Sequence, residues 1–318
     1  LVYIVTGAAG FIGSTLVDRL LSERRRVIGI DCFRDYYPVE RKRANLAGAM
    51  LDPMFRLVEA DLADGLSGDL GLPPGEQAVV YHLAAQAGVR ASWGRGFDAY
   101  VRDNITATAS LLDWCCESGR VRNLVFASSS SVYGDAGEGP SSEHGTLPQP
   151  VSPYGVTKLA AEHLVRLHTP GRGLPTVSAR LFSVYGPRQR PDMAFYRFMG
   201  AALTGGAVEI HGDGSQTRDF TYVDDVVEGL RRLESVTSGD VYNIGGGSAV
   251  RLSFAVETIA RLAGCGIRTR TGPPAPGDAR ATLADASRLD HDLGWRPATP
   301  LEEGLAGQMA WMRGVLGL

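Results

Sequence analysis

The segment Thr6-Gly7-Ala8-Ala9-Gly10-Phe11-Ile12-Gly13 narrows the possible folds more than any other stretch of this chain. It separates an apolar run at residues 2–5 from a stretch at 11–21 with helical periodicity. A buried strand that passes through a glycine turn into a helix can turn tightly, approach a pyrophosphate and pack helix on strand. The start of that helix offers unpaired N–H groups and a partial positive charge to an anion. A second apolar strand at 26–31 ends in Asp31. Its carboxylate can accept hydrogen bonds from both hydroxyls of an adenosine ribose and would repel a 2′-phosphate. Loop and acid together read as a dinucleotide site that favours NAD over NADP. Arg34 is the nearby residue that could serve a phosphate instead.

Further strands at 55–59, 78–81, 123–126 and 176–180 alternate with helical stretches, notably 98–118 and 154–167. Such alternation predicts an α/β chain built on an open parallel sheet covered on both faces. Beyond residue 181 come loops rich in Gly, Pro and Arg. Residues 220–233 read as a helix, and 240–244 as a strand, that return to the first sheet. We therefore expect a dinucleotide-binding domain over 1–180, with 218–245 returning to it, and a smaller unit built from 181–217 and 246–318.

A net charge of −3 and a pI near 6.1 give no bulk attraction for nucleic acid or an anionic membrane. Cys32, Cys115, Cys116 and Cys265 lack CxxC spacing. They read as reduced structural thiols of a cytoplasmic protein, with no metal site. No run is long and apolar enough to cross a bilayer, and no signal peptide is expected before the first strand.

Ser152-Pro153-Tyr154-Gly155-Val156-Thr157-Lys158 puts a tyrosine and a lysine four apart on one face of a helix start. Free tyrosine titrates near ~10, and an ammonium beside the phenol favours the anion. His82-Leu83-Ala84-Ala85-Gln86 ends the fourth strand at the carboxyl edge, where ligands bind in such sheets. Its small side chains suit backbone close to a cofactor, and His82 reads as a satisfied core histidine. Asp61-Leu62 follow the third strand and could flank adenine, and Asn104 could brace the site.

Taken in order, the glycine loop, Asp31, Asp61-Leu62, His82-Leu83-Ala84-Ala85, Ser128-Ser129-Ser130-Ser131-Val132-Tyr133-Gly134, Tyr154-x-x-x-Lys158, Tyr185-Gly186-Pro187 and Arg218-Asp219-Phe220 carry a resemblance. The chain resembles the extended short-chain dehydrogenase/reductase superfamily, specifically its nucleotide-sugar epimerase/dehydratase group. The resemblance implies a Rossmann-type doubly wound parallel sheet with a smaller α/β substrate-binding domain. It also implies NAD as cofactor and a UDP-sugar as substrate. Tyr154 would be the acid/base, Lys158 would lower its pKa and hold the nicotinamide ribose, and Ser129 would bond the sugar hydroxyl. Cofactor contacts would come from Gly7, Gly10, Phe11, Ile12, Gly13, Asp31, Asp61, Leu62, Leu83, Ala84, Ala85, Asn104, Tyr154 and Lys158. Substrate contacts would come from Gln86, Ser128, Ser129, Ser183, Arg190, His211, Arg218 and Asp278. Within that set Arg218 would hold the diphosphate, Asp278 the uridine ribose, Arg190 the diphosphate or a sugar carboxylate, and His211 could stack on uracil. The group also implies a homodimer through 98–118 and 154–167, with Leu111, Leu112 and Trp114 on candidate faces.

The fifth-strand motif bears on the reaction. Related dehydratases carry an Asp-Glu pair there, and UDP-xylose-forming decarboxylases a glutamate where Ser131 stands. This chain has neither, which leaves C4 epimerisation. Ser183 stands where glucose epimerases usually have asparagine, and Ala275 where they have arginine. A short hydroxyl side chain at 183 makes room for a C5 carboxylate, so the resemblance is strongest to UDP-glucuronate 4-epimerases. The alternatives are a 4-epimerase of a neutral UDP- or TDP-hexose, a UDP-glucuronate decarboxylase, and a non-catalytic NAD-binding sensor.

Overall fold

A computed structural model describes residues 1–318 apart from Ala136, Glu138, Asp213, Pro274 and Ala275. The Ala275 position singled out above therefore lies outside the described residues. The strands are β1 (Val2–Thr6), β2 (Arg26–Asp31), β3 (Phe55–Glu59), β4 (Ala78–His82), β5 (Val121–Ser129), β6 (Thr176–Leu181), β7 (Ser183–Tyr185), β8 (Ala207–His211), β9 (Thr217–Tyr222), β10 (Ser238–Ile244), β11 (Ala249–Arg251) and β12 (Arg268–Gly272). The helices are α1 (Phe11–Ser22), α2 (Val39–Leu46), α3 (Phe97–Tyr100), α4 (Ala107–Ser118), α5 (Pro153–Arg172), α6 (Ala194–Thr204), α7 (Val223–Leu233), α8 (Leu252–Ala263), α9 (Ser287–Leu293) and α10 (Leu301–Leu316). A π-helical turn, Val101–Thr106, joins α3 to α4.

Among the described residues, seven strands form one parallel sheet in the order β10-β6-β5-β4-β1-β2-β3. Strand side chains alternate between faces, and this sheet has two apolar faces. Tyr3 and Val5 pack with Leu16, Val17 and Leu20 of α1 and Val226 and Leu230 of α7. Val2 and Ile4 pack with Leu111 and Leu112 of α4 and Ala161 and Val165 of α5. Burying an aliphatic side chain of this size contributes ~1.5–3 kcal/mol against the entropy of ordering it. Leu111, Leu112 and Trp114, which suited a docking face or a core equally, are interior residues that fill the space under the sheet.

A separate core joins Phe195, Phe198 and Met199 of α6, Leu252, Ala255 and Ile259 of α8, and Leu305, Met309 and Met312 of α10. Two small sheets, β11-β9-β7 and β12-β8, accompany it. The helix expected at 220–233 begins at Val223, because residues Phe220–Tyr222 instead pair with β7. Residues 287–293, expected in the smaller unit, turn back: Leu289 lies in the core of the large sheet. Helix α5 outruns its expected end at 167 and stops at Gly173, whose φ of +69° breaks the helix.

Candidate active site

Because all seven strands are parallel, Thr6, Asp31, His82, Ser129 and Leu181 fall at one edge. There Asp31, Ser129 and Leu181, with Gly7 after Thr6 and Leu83 after His82, border a cleft of about 390 Å³. Gly7, at φ +69°, lies against the end of β4, and a Cβ there would sit 2.8 Å from Ala84 N. A Cβ on Gly13 would sit 2.1 Å from the Gly7 carbonyl oxygen. Gly10 caps α1 without a side-chain bond, so the first-turn amides lack capping partners at the cleft wall. Leu83, Ala84 and Ala85 line the opposite wall.

The Asp31 carboxylate accepts hydrogen bonds from Ala9 N (3.0 Å) and Phe33 N (2.8 Å), which fix its direction. Arg34 does not stand free for a phosphate. Its guanidinium bonds Asp61 at 2.8 Å and Asp103 at 2.9 Å. Arg102 also donates to Asp61 at 2.6 Å. Burial works to raise the Asp61 carboxyl, but the hydrogen bonds from Arg102 and Ala63 and the two arginine charges bring it below the ordinary aspartate value. Asp61 is therefore largely committed to its arginines, while Leu62 lines the cleft. A pocket with open amides, no room for a Cβ, and an oriented acid whose cationic neighbour is already neutralised fits NAD.

At the other end, Ser152 caps α5 by accepting from Gly155 N at 3.1 Å, with Pro153 in the first turn. Gly155 is required because the Ser131 carbonyl oxygen would lie 2.5 Å from a Cβ. This brings the start of α5 against the end of β5. Tyr154 lies beside Ser129 at the cleft and meets Tyr100 edge-on at 6.1 Å. Burial pushes its hydroxyl above the ordinary tyrosine value, against the pull of Ser129 and the Arg190 charge. Arg190 thus adds a second cation near the phenol, besides Lys158 one turn further along α5. Lys158 is buried, with Nζ 4.4 Å from the centre of the Phe126 ring. Desolvation brings it down to about 7, opposed by the charge of Glu162.

His82 accounts for both ring nitrogens, with Thr6 Oγ1 at 2.8 Å and Thr108 Oγ1 at 2.9 Å. Burial first, and the Lys158 charge second, lower it to about 3, so it is a neutral core residue. Asn104, in the π turn, bonds both the N–H and the C=O of Gln86 and also Thr157 of α5. π-turns often mark functional sites, and this one ties the β4 edge to the tyrosine helix. Ser128 lines the cleft and is tied to α5. Its hydroxyl donates to Glu162 at 2.7 Å.

Gln86, Ser129, Ser183 and Arg190 line the cleft together with Ser131. Ser129 donates to Ser131 Oγ at 3.1 Å. Arg190 pairs with Asp192 at 3.0 Å. Its neighbour Arg188 pairs with Asp18 at 2.6 Å and belongs to the surface. His211, Arg218 and Asp278 do not border this cleft. Asp278 accepts from Arg90 at 2.8 Å, and its charge acts on Arg218. Gly277 sits against Val89, a cleft residue, so this cluster lies beside the cleft. His211 faces Pro273 O at 3.2 Å and Glu209 at 3.4 Å. Sequence reasoning passed over Glu162 and Arg180, although Glu162 stands one helical turn beyond Lys158.

Fold and site define a dinucleotide-dependent enzyme that pairs a tyrosine with a lysine. Residues 3–245 match the family described as "NAD dependent epimerase/dehydratase family", and the chain belongs to it. It is 40% identical to an uncharacterized UDP-glucose epimerase, YtcB, of Bacillus subtilis over 97% of each chain. It is 36% identical to the UDP-glucuronate 4-epimerase of Thermodesulfobacterium geofontis over 98% of this chain and 96% of that one. The fold is similar to the crystal structure of the UDP-glucuronic acid 4-epimerase of Bacillus cereus in complex with UDP-glucuronic acid and NAD. There the TM-score is 0.91, with 37% identity over 99% of this chain and 100% of that one.

Proposed function

We propose that this enzyme is an NAD-dependent isomerase that interconverts UDP-glucuronate and UDP-galacturonate by inversion at C4. One observation carries the reading. The carboxylates lining the cleft, among the described residues, are Asp31, Asp61 and Asp103, all at the adenosine end. The chemical end offers hydroxyls (Ser129, Ser131, Ser183, Tyr154), the Lys158 ammonium and one guanidinium, Arg190. Eliminating water would need a further acid and base there. Inversion needs only one group that takes and returns a proton at O4. NAD, held by the glycine loop and Asp31, supplies a reversible hydride acceptor at C4 when bound.

Tyr154 takes the O4 proton and later gives it back, with Ser129 sharing the same hydrogen bond. Arg190 favours the phenolate and, as a planar fork, can pair with a carboxylate or a phosphate. A 4-keto uronate is a β-keto acid and loses CO2 when its carboxylate stands perpendicular to the carbonyl. Ser129, Ser131 and Ser183 hold that carboxylate near the plane. Arg218 and Asp278, beside Arg90, serve the diphosphate and uridine ribose. The subunits form a homodimer through the outer side of α5, where Val156 and Leu167 are 48% and 63% exposed. Four free cysteines suit a reducing cytoplasm.

NMR of the products from purified protein and UDP-glucuronate, with UDP-glucose in a parallel reaction, tests the reading. UDP-galacturonate is expected from the first and little turnover from the second. Turnover of UDP-glucose alone would replace the uronate with a neutral hexose, and UDP-xylose as sole product would make the enzyme a decarboxylase.

A further inference from the structure

We propose that Glu162 is a positioning residue for the reaction, fixed by Arg180 and Ser128 so that its charge keeps Lys158 an ammonium. Both carboxylate oxygens are engaged. Oε1 accepts from Arg180 Nη2 at 2.5 Å, and Oε2 accepts from Arg180 Nε at 3.1 Å and from Ser128 Oγ at 2.7 Å. The Glu162 and Arg180 side chains are 5% and 4% exposed. The arginine is set in turn, with its guanidinium 4.6 Å from the centre of the Tyr133 ring, whose hydroxyl donates to Asn243 at 2.8 Å. A carboxylate locked this way cannot swing, so its distance from Lys158 one turn earlier is set by the fold. Glu162 of α5 and His82 of β4 interact with the Lys158 charge, which lies on the Phe126 ring of β5; Tyr154 stands one turn earlier on α5, and Arg180 of β6 lies behind Glu162.

The composition points the same way. The chain holds two lysines, Lys42 and Lys158, among its 32 basic residues. Both are buried: Lys42 donates to the Arg34 carbonyl at 2.8 Å, and Lys158 lies on Phe126. Everywhere else the chain uses arginine, which does not lose its proton in proteins. At 158 it uses the cation that can, and supplies a carboxylate against that loss.

The test is 13C NMR of protein labelled at lysine Cε, purified with its cofactor. The chain gives two lysine signals, and Lys42→Arg assigns them. Glu162→Gln keeps the shape and removes the charge. It is expected to lower the Lys158 midpoint by at least about one pH unit. The alkaline limb of kcat should move down by the same amount, with KM changed less than about twofold. Glu162→Asp should restore most of both. If the single variant does not fold because Arg180 is left unpaired, Glu162→Gln with Arg180→Met removes both charges and is still expected to lower the midpoint. An unchanged Lys158 midpoint, or a uniform loss of kcat at every pH, overturns the proposal. It rests on reading Tyr154 and Lys158 as the acid/base pair. The NMR readout needs no sugar, so failure of the substrate assignment would show separately.

Discussion

Asn104 grips Gln86 at both ends of its peptide: Oδ1 accepts from Gln86 N at 2.7 Å, and Nδ2 donates to Gln86 O at 3.0 Å. The same amide donates to Thr157 at 2.9 Å. Asn104→Ala would leave buried backbone groups unpaired, each at a cost of ~1–3 kcal/mol. Urea unfolding should show a loss of ~2–4 kcal/mol, with a lower kcat as the β4 edge and α5 lose register. A loss within ~0.5 kcal/mol, the range of ordinary surface changes, would mean that Asn104 braces nothing.

The glycine loop gives a sharper test. Gly13→Ala places its new methyl 2.1 Å from the Gly7 carbonyl oxygen, so either the loop or α1 must move. Cofactor retained through purification, measured by absorbance and by release on heating, should fall below about one tenth of wild type, a loss of about 1.4 kcal/mol or more in binding.

Tyr154→Phe removes the phenol and keeps the ring, including its edge-on packing against Tyr100. We expect kcat to fall by ~100- to 10,000-fold, the range of general acid–base catalysis, with Tm unchanged. Full activity would dismantle the mechanism.

How much of this was visible in the residues depended on the span of each interaction. The glycine loop and the Tyr154–Lys158 spacing are local, and their geometry follows from helix and turn rules. Arg34 read as a potential phosphate ligand because its partners Asp61 and Asp103 stand 27 and 69 positions away. The bond from Ser128 to Glu162 spans 34 residues, so nothing local announced it. Phe220–Tyr222 continued a helical pattern and still formed a strand, since β7 offered a parallel neighbour. Pairings of this kind belong to the tertiary fold and leave no local signature.

His82 makes stability depend on pH. Its ordinary value is 6.5 and its folded value about 3, so between these the unfolded chain binds the extra proton. The stabilisation is fully present above pH 6.5 and is lost as the pH falls toward 3. The slope should approach ~1.4 kcal/mol per pH unit at most. Urea titrations across that range should show a shallower slope for His82→Asn.

Ser183→Ala removes one hydroxyl from the end of the cleft where the sugar carboxylate is placed. The ratio of pentose to epimer among the products, read by NMR, should rise several-fold. An unchanged ratio would show that Ser183 does not restrain the carboxylate.

The scarcity of lysine has a practical side. With both side-chain amines sealed inside the protein, acylating dyes, aldehyde fixatives and amine-coupled resins find almost nothing to grip along the folded chain. An anhydride that does react with position 158 would therefore act as a reporter, marking molecules whose dinucleotide pocket has come open.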